Sequence, residues 1–179
     1  MEKLAVHKVI KSTSMFKGKV FEAKVEEVIL PTGQQAMREV VVHRGGASML
    51  AITDDNKAVL VRQYRHAVPG YTLEVPAGIL EQGEDPQHTA TRELQEETGY
   101  TPSKVEHLLT MYMSMGYVTE KHHIYIAKGL TPGPQNLDEG EDVEVIEIDI
   151  DNVIEMIWSG EIVDSKTIAA VLGYRNKIK

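Results

Sequence analysis

The sequence predicts an α/β protein, and three features carry that prediction. Runs that alternate apolar and charged residues recur before position 64 and again after position 104, as half-buried strands require. Between them, residues 86–98 carry start and stop signals for one helix. Two further segments after position 150 repeat apolar residues at helical spacing.

Length and composition set the frame. A chain of 179 residues, 42% apolar and 26% charged, can bury a core in one domain. Nineteen basic against twenty-seven acidic residues leave a net charge of −8, which argues against a nucleic-acid or anionic-membrane surface. The absence of cysteine excludes disulfides, thiolate metal sites and cysteine nucleophiles, and fits a reducing compartment. Residues 4–10 are interrupted by His7 and Lys8, so no signal peptide is read there, and no apolar run approaches a membrane span. The expected location is the cytoplasm.

The first third reads as strands: a short one at 4–10, then 20–30, closed by the turn Pro31, Thr32, Gly33. Strands at 39–43, 49–52 and 58–63 follow, the last two joined by a turn at Asp54, Asp55, Asn56. The amphipathic N-terminal strands suit a small sheet that pairs with a second copy, and equally a hairpin on the same core. A homodimer is the expectation carried forward. Arg62 and Arg65 precede the run Leu73 to Gly78. An arginine fork can hold a phosphate, although most arginines are simply exposed cations.

Helix 86–98 has Asp85 as N-cap, Pro86 at the first helical position and Gly99 to close it. At 100° per residue Glu93, Glu96 and Glu97 share one arc beside Ala90 and Leu94. Like charges three and four apart each cost about 0.2–0.5 kcal/mol, and acids near a helix C-terminus oppose its dipole. Local stability does not account for the cluster. A hard divalent cation does, since Mg²⁺ takes oxygen ligands and bridges a few carboxylates to substrate phosphates. A solvated acidic face is the bland alternative.

Gly78, Glu84, Arg92, Glu93, Leu94, Glu96, Glu97 and Gly99 resemble the Nudix box, G-x5-E-x7-R-E-U-x-E-E-x-G-U, with U a bulky aliphatic residue and Tyr100 the one departure. VRQYR followed by LEVPAG, and the closing segment 159–167, look like the branch of Nudix hydrolases that cleaves ADP-ribose and nucleoside diphosphate sugars. The resemblance implies an α/β/α sandwich with a mixed sheet and an N-terminal antiparallel extension. On this reading residues 1–45 form the N-terminal strand region and 46–179 the hydrolase domain. It also implies metal ligation by the Ala77 carbonyl, Glu93, Glu96 and Glu97, with Mg²⁺ as cofactor and Mn²⁺ as a substitute. Arg92 would position a box glutamate. Arg65 would contact the diphosphate or terminal ribose, and Phe21 and Arg38 the nucleoside end, although an aromatic in an alternating strand such as Phe21 is usually core.

Beyond the helix, 105–113 and 122–127 read as strands around a loop at 114–121. Residues 114–120 resemble the branch's S-P-G-x-x-x-E loop, which implies Gly116 at the substrate and Glu120 acting on the attacking water. Met115 stands where ADP-ribose pyrophosphatases carry proline, so another sugar such as that of GDP-mannose stays open. A non-catalytic nucleotide-sensing domain is the third reading. His122 and His123 face opposite ways on a strand and are read as strand residues, while Met111, Met113 and Met115 alternate along one face. The acidic stretch 137–142 is read as mostly solvated, with Glu139 or Glu141 able to reach the site. Residues 143–150 form a strand. Helices start near Asp151 and near Asp164, with Trp158 expected to be buried among isoleucines.

Overall fold

The computed structural model describes residues 6–177. The chain divides into two compact units, Met1–Gly45 with Tyr112–Lys121, and Gly46–Met111 with His122–Lys179.

In the first unit β1 (Lys8–Lys17), β2 (Phe21–Ile29) and β3 (Gln35–His43) form an antiparallel sheet in that order. The strand expected at 4–10 is shifted: β1 starts at Lys8, and residues 4 and 5 lie outside the described residues. All ten residues of β1 are exposed, so it is held by its ladder to β2 and not by burial. That is why its apolar pattern did not mark its ends. The segment 114–120 is tied to β3: Val41 N–H donates to the Tyr117 carbonyl (2.7 Å), Thr119 N–H to the Val41 carbonyl (2.9 Å), and His43 N–H to Thr119 Oγ1 (2.9 Å).

The second unit is built on a mixed sheet. Its strands are β4 (Gly46–Ile52), β5 (Lys57–Arg65), β6 (Gly70–Glu74), β7 (Ala77–Ile79), β8 (Thr101–Tyr112), β9 (Lys121–Thr131) and β10 (Val143–Asp149). The order is β10, β5, β4, β9, β8, with β6 on β5 and β7 on β4. β4 and β9 run parallel, whereas β4 is antiparallel to β5 and β7, and β5 to β6 and β10. β6 and β7 are five and three residues long, too short for alternation to reveal them in the sequence.

Helices α1 (Pro86–Thr98), α2 (Ile150–Ser159) and α3 (Ser165–Lys177) cover the sheet. Side chains of a strand alternate between faces, and here the two sets sort into two cores. Ala47, Met49, Ala51, Val59, Tyr125 and Ala127 pack with Ala90 and Leu94 of α1. Leu50, Ile52, Leu60, Ile124 and Ile126 pack with Val153 and Ile157 of α2 and Ala170, Val171 and Tyr174 of α3. This is the expected α/β/α layering. Among the described residues no helix is long and apolar enough to cross a membrane.

The caps of α1 follow its sequence. Asp85 accepts from the Gln87 and His88 N–H groups, and Gly99 adopts φ 77° and donates to the Gln95 carbonyl. α2 starts one residue before Asp151, because Asp149 is its N-cap and accepts from the Asp151 N–H. Trp158 is the main correction. It is 75% exposed, since the buried stripe of α2 is Ile150, Val153 and Ile157 and position 158 falls one residue off it. The methionine row also breaks: Met111 packs against the core, but β8 ends at Tyr112 and Met115 is 82% exposed. Because Trp158 is the only tryptophan, the fluorescence maximum of the folded protein should lie close to that of the unfolded chain, and Trp158→Phe should change stability by about 0.5 kcal/mol or less. A strongly blue-shifted native emission in a fluorescence-monitored urea titration would contradict the exposure.

Candidate active site

The sharpest local constraint in the second unit is the meeting of α1 with β7. A Cβ on Gly78 would lie 1.8 Å from Glu93 Oε1 and 2.1 Å from its carboxyl carbon, so only glycine lets that carboxylate lie against the strand. One helical turn on, Glu97 accepts from the Ala77 N–H at 3.2 Å. Ala77 and Gly78 pair with Ser48 and Ala47 of β4, which fixes the backbone against which both carboxylates rest.

Burial shapes the charge here. Glu97 is 4% exposed. Burial first, then the charge of Glu93, push its carboxyl up to about 8, against the pull of the Ala77 N–H. Glu93 is also raised, by burial, although Arg92 opposes the shift. Glu141 adds negative charge felt by both Glu93 and Glu97, which brings one acid of the 137–142 stretch into the electrostatics of the cluster.

Arg92 binds the remaining acids together. Its Nη1 lies 2.8 Å from Glu93 Oε1 and donates to Glu96 Oε2 at 2.8 Å, and its Nε reaches toward Glu84 Oε1 at 3.4 Å. Glu84 also accepts from the Glu81 N–H and meets His88 Nδ1. Among the described residues no three acidic or imidazole side chains form a ready-made metal cage. The donor set still suits a hard cation that keeps its waters and needs only one or two carboxylates plus substrate oxygens, because a buried acid with a raised pKa beside a second acid is a site short of positive charge.

The C-terminal end of α1 is closed by the segment after β9. Asn136 N–H donates to the Glu96 carbonyl at 2.9 Å and Gln135 Nε2 to the Glu97 carbonyl at 2.6 Å. A Cβ at position 99 would meet the Gly133 carbonyl oxygen at 2.2 Å.

Arg65 is placed by a partner that the sequence did not announce. Its Nε and Nη2 donate to Glu74 Oε1 and Oε2 at 2.7 and 2.6 Å, while Thr72 Oγ1 donates to Glu74 Oε1 at 2.6 Å. Glu74 is 2% exposed. Burial raises its carboxyl, but the bonds from Arg65, the charge and bond of Lys166, and the Thr72 hydroxyl prevail and hold it at about 2. No spacing rule marks a lone strand glutamate as such a partner. Its isolation between Leu73 and Val75 in an otherwise apolar run was the available signal.

The second unit thus brings together Ala77, Arg92, Glu93, Glu96 and Glu97 and places Arg65 on Glu74. The other candidates belong to the first unit. Phe21 is 41% exposed and tilts against Phe16 with centroids 5.5 Å apart, so the core reading of this aromatic does not hold. Arg38 is exposed, opposite Glu26, and bonds the Met37 carbonyl. Gly116 has open space around its Cβ position. The Glu120 carbonyl accepts from the Met113 N–H at 3.1 Å.

The family model for the NUDIX domain matches residues 42–170. A methanol dehydrogenase activator of Bacillus methanolicus is 44% identical over 173 residues, 96% of this chain and 94% of the relative. An ADP-ribose pyrophosphatase of Bacillus subtilis is 40% identical over 166 residues, 92% and 90% of the two chains. A crystal structure of an ADP compounds hydrolase superposes with a TM-score of 0.87 over 99% of this chain and 97% of its own, at 20% identity.

Glu74 sets a pH prediction. Its folded carboxyl lies near 2 against a usual 4.5, so the unfolded chain binds the extra proton between those values. Its contribution to stability is complete above pH of about 4.5 and is lost as pH falls toward about 2. Urea titrations should show the stability gap between wild type and Glu74→Gln shrinking over that window, and a gap independent of pH would refute the ion pair.

Proposed function

The chain belongs to the Nudix family, and on that premise we propose that it hydrolyses the pyrophosphate bond of ADP-ribose, giving AMP and ribose 5-phosphate, and acts on related nucleoside diphosphate sugars. The observation that carries this reading is the closure of Glu93 and Glu97 on the Ala77–Gly78 backbone within a box that has every charged position. The ADP-ribose pyrophosphatase relative supports the substrate class.

Glu93, Glu96, Glu97 and the Ala77 carbonyl would hold a divalent cation, with Mg²⁺ the proposed ion and Mn²⁺ a substitute. Such a cation supplies charge neutralisation of phosphate oxygens and a more acidic bound water. Arg92 orients Glu93 and Glu96 through its paired contacts. Arg65, with two nitrogens committed to Glu74, would offer Nη1 to a substrate phosphate. Glu120 would orient the attacking water and accept its proton. Phe21, Arg38 and Gly116 are proposed at the nucleoside end and substrate loop.

Two observations widen the reading. Met115 in place of proline keeps GDP-mannose or another sugar open as an alternative substrate. The relative that activates methanol dehydrogenase favours a dehydrogenase as a partner of the activity. For assembly we propose a homodimer through the N-terminal sheet, supported by β1, which leaves Val9, Ile10, Met15 and Phe16 at 44–66% exposure. The lack of cysteine supports a cytoplasmic setting.

The deciding experiment is phosphate-product release from ADP-ribose, ADP-glucose, GDP-mannose, UDP-glucose, NADH and diadenosine polyphosphates with Mg²⁺, Mn²⁺ or EDTA, and with methanol dehydrogenase as an added arm. Metal-dependent preference for ADP-ribose is expected, and silence across the panel would leave only a binding function. Glu97→Gln should abolish metal-dependent turnover, with losses of about 10²-fold or more. Glu120→Gln should lower kcat more than it raises KM, and steady-state kinetics that instead show an unchanged kcat would remove Glu120 from the chemistry.

A further inference from the structure

The segment that opens α3 carries a buried cation that the box does not explain. Lys166 is 8% exposed, with Thr167 fully buried beside it and Glu74 at 2%. A lysine is seldom buried without a partner, and here it has two. Lys166 Nζ donates to Glu74 Oε2 and, at 2.9 Å, to Asp164 Oδ1. Asp164 Oδ2 in turn accepts from the Thr167 N–H at 2.9 Å and its hydroxyl at 2.6 Å. Thr167 Oγ1 then accepts from the Val75 N–H at 2.8 Å.

These bonds close a ring. It runs from Glu74 through Lys166, Asp164 and Thr167 to the Val75 N–H, and so returns to the residue after Glu74. With Arg65, which is bonded to Glu74 from outside the ring, the charges of Glu74, Asp164 and Lys166 sum to zero. Arg65, Thr72, Glu74, Asp164 and Lys166 also share the lining of one cavity of about 360 Å³. The ring lies within electrostatic reach of the carboxylates on α1, for Glu97 acts on Arg65 and Lys166 acts on Glu97.

We propose that Lys166 is a positioning residue for substrate: through Glu74 it fixes the direction in which Arg65 faces the cavity, and through Asp164 and Thr167 it fixes the β6 to β7 backbone leading to Ala77. Arg65 alone cannot do this. A guanidinium with a carboxylate partner forms a planar fork, but a carboxylate on a strand still swings about its own side-chain bonds unless a second donor holds it. Lys166 is that second donor on Oε2, opposite Thr72 on Oε1. With the fork committed to Glu74, Nη1 is the arginine nitrogen left for an anion.

The kinetic part of this inference rests on the pyrophosphatase reading, and the spectroscopic part does not. In Lys166→Met, Glu74 keeps Arg65 as its counter-ion and Asp164 keeps the Thr167 N–H and hydroxyl, so each carboxylate retains donors. The expected result on the preferred substrate is a KM raised by about tenfold with kcat lowered by about threefold or less. Lys166→Arg should recover most of the loss. In parallel, ¹⁵N NMR of the arginine Nε–H groups should show the Arg65 signal protected from solvent exchange in wild type and Lys166→Arg, and exchanging about tenfold faster in Lys166→Met.

Asp164→Ala loosens the ring from its more accessible side while leaving Glu74 and Lys166 paired. It should move both readouts in the same direction, and it decides the matter should Lys166→Met fail to fold. Unchanged Arg65 protection in the folded variants overturns the inference, as does an unchanged KM in an active enzyme. A wild type silent on every substrate would defeat the pyrophosphatase reading, and the Arg65 signal would still decide the role of Lys166.

Discussion

The close approach of α1 to β7 is the constraint on which the site depends. Gly78 has no Cβ, and the space that atom would fill is occupied by the Glu93 carboxylate. Glu97 reaches the Ala77 N–H from the same helix. Because Glu93 and Glu97 are four residues apart, one turn of helix brings both to the same strand. A side chain at 78 would take the space of the Glu93 carboxylate and turn it away from the strand. Burial of Glu97, and then the charge of Glu93 beside it, raise the Glu97 pKa.

The scaffold holds that contact from both sides. Ala90 and Leu94, on the apolar flank of the same helix, pack into the core that Ala47, Met49 and Ala51 of β4 share. β4 also pairs with β7, so the strand that receives the helix's apolar face is the neighbour of the strand that receives its acids. The opposite face of the sheet is packed by α2 and α3, and the first turn of α3 carries Lys166 and Thr167, whose bonds reach back to Glu74 and Val75. Both layers therefore converge on the few residues between β6 and β7.

Charge is divided between these two groups of side chains. On α1 the acids outnumber the one arginine, and Arg92 serves Glu84, Glu93 and Glu96 without reaching Glu97. Around Glu74 the charges balance, and every carboxylate oxygen has a donor. The first arrangement leaves a deficit of positive charge suited to a cation, and the second is a rigid neutral mount.

Much of this was present in the sequence. Asp85, Pro86 and Gly99 bound α1 through their own side-chain and backbone preferences, which act within a few residues and need no tertiary partner. The spacing of Glu93, Glu96 and Glu97 followed from helical geometry for the same reason; apolar runs marked β4, β5 and β9, which carry buried residues, and alternation marked β10, where Val145 and Ile148 are partly buried. Where burial is absent the pattern misplaced the ends, as for the wholly exposed β1, read at 4–10 and found at Lys8–Lys17, and where the stripe is narrow it misled, as for Trp158. Only the tertiary structure decided that Glu74 takes Arg65 and Lys166, or that Thr167 receives the Val75 N–H. Those partners are 92 residues apart along the chain in the case of Glu74 and Lys166, and a salt bridge between distant segments leaves no periodicity, because its geometry comes from how the layers pack and not from any local preference of the residues that make it.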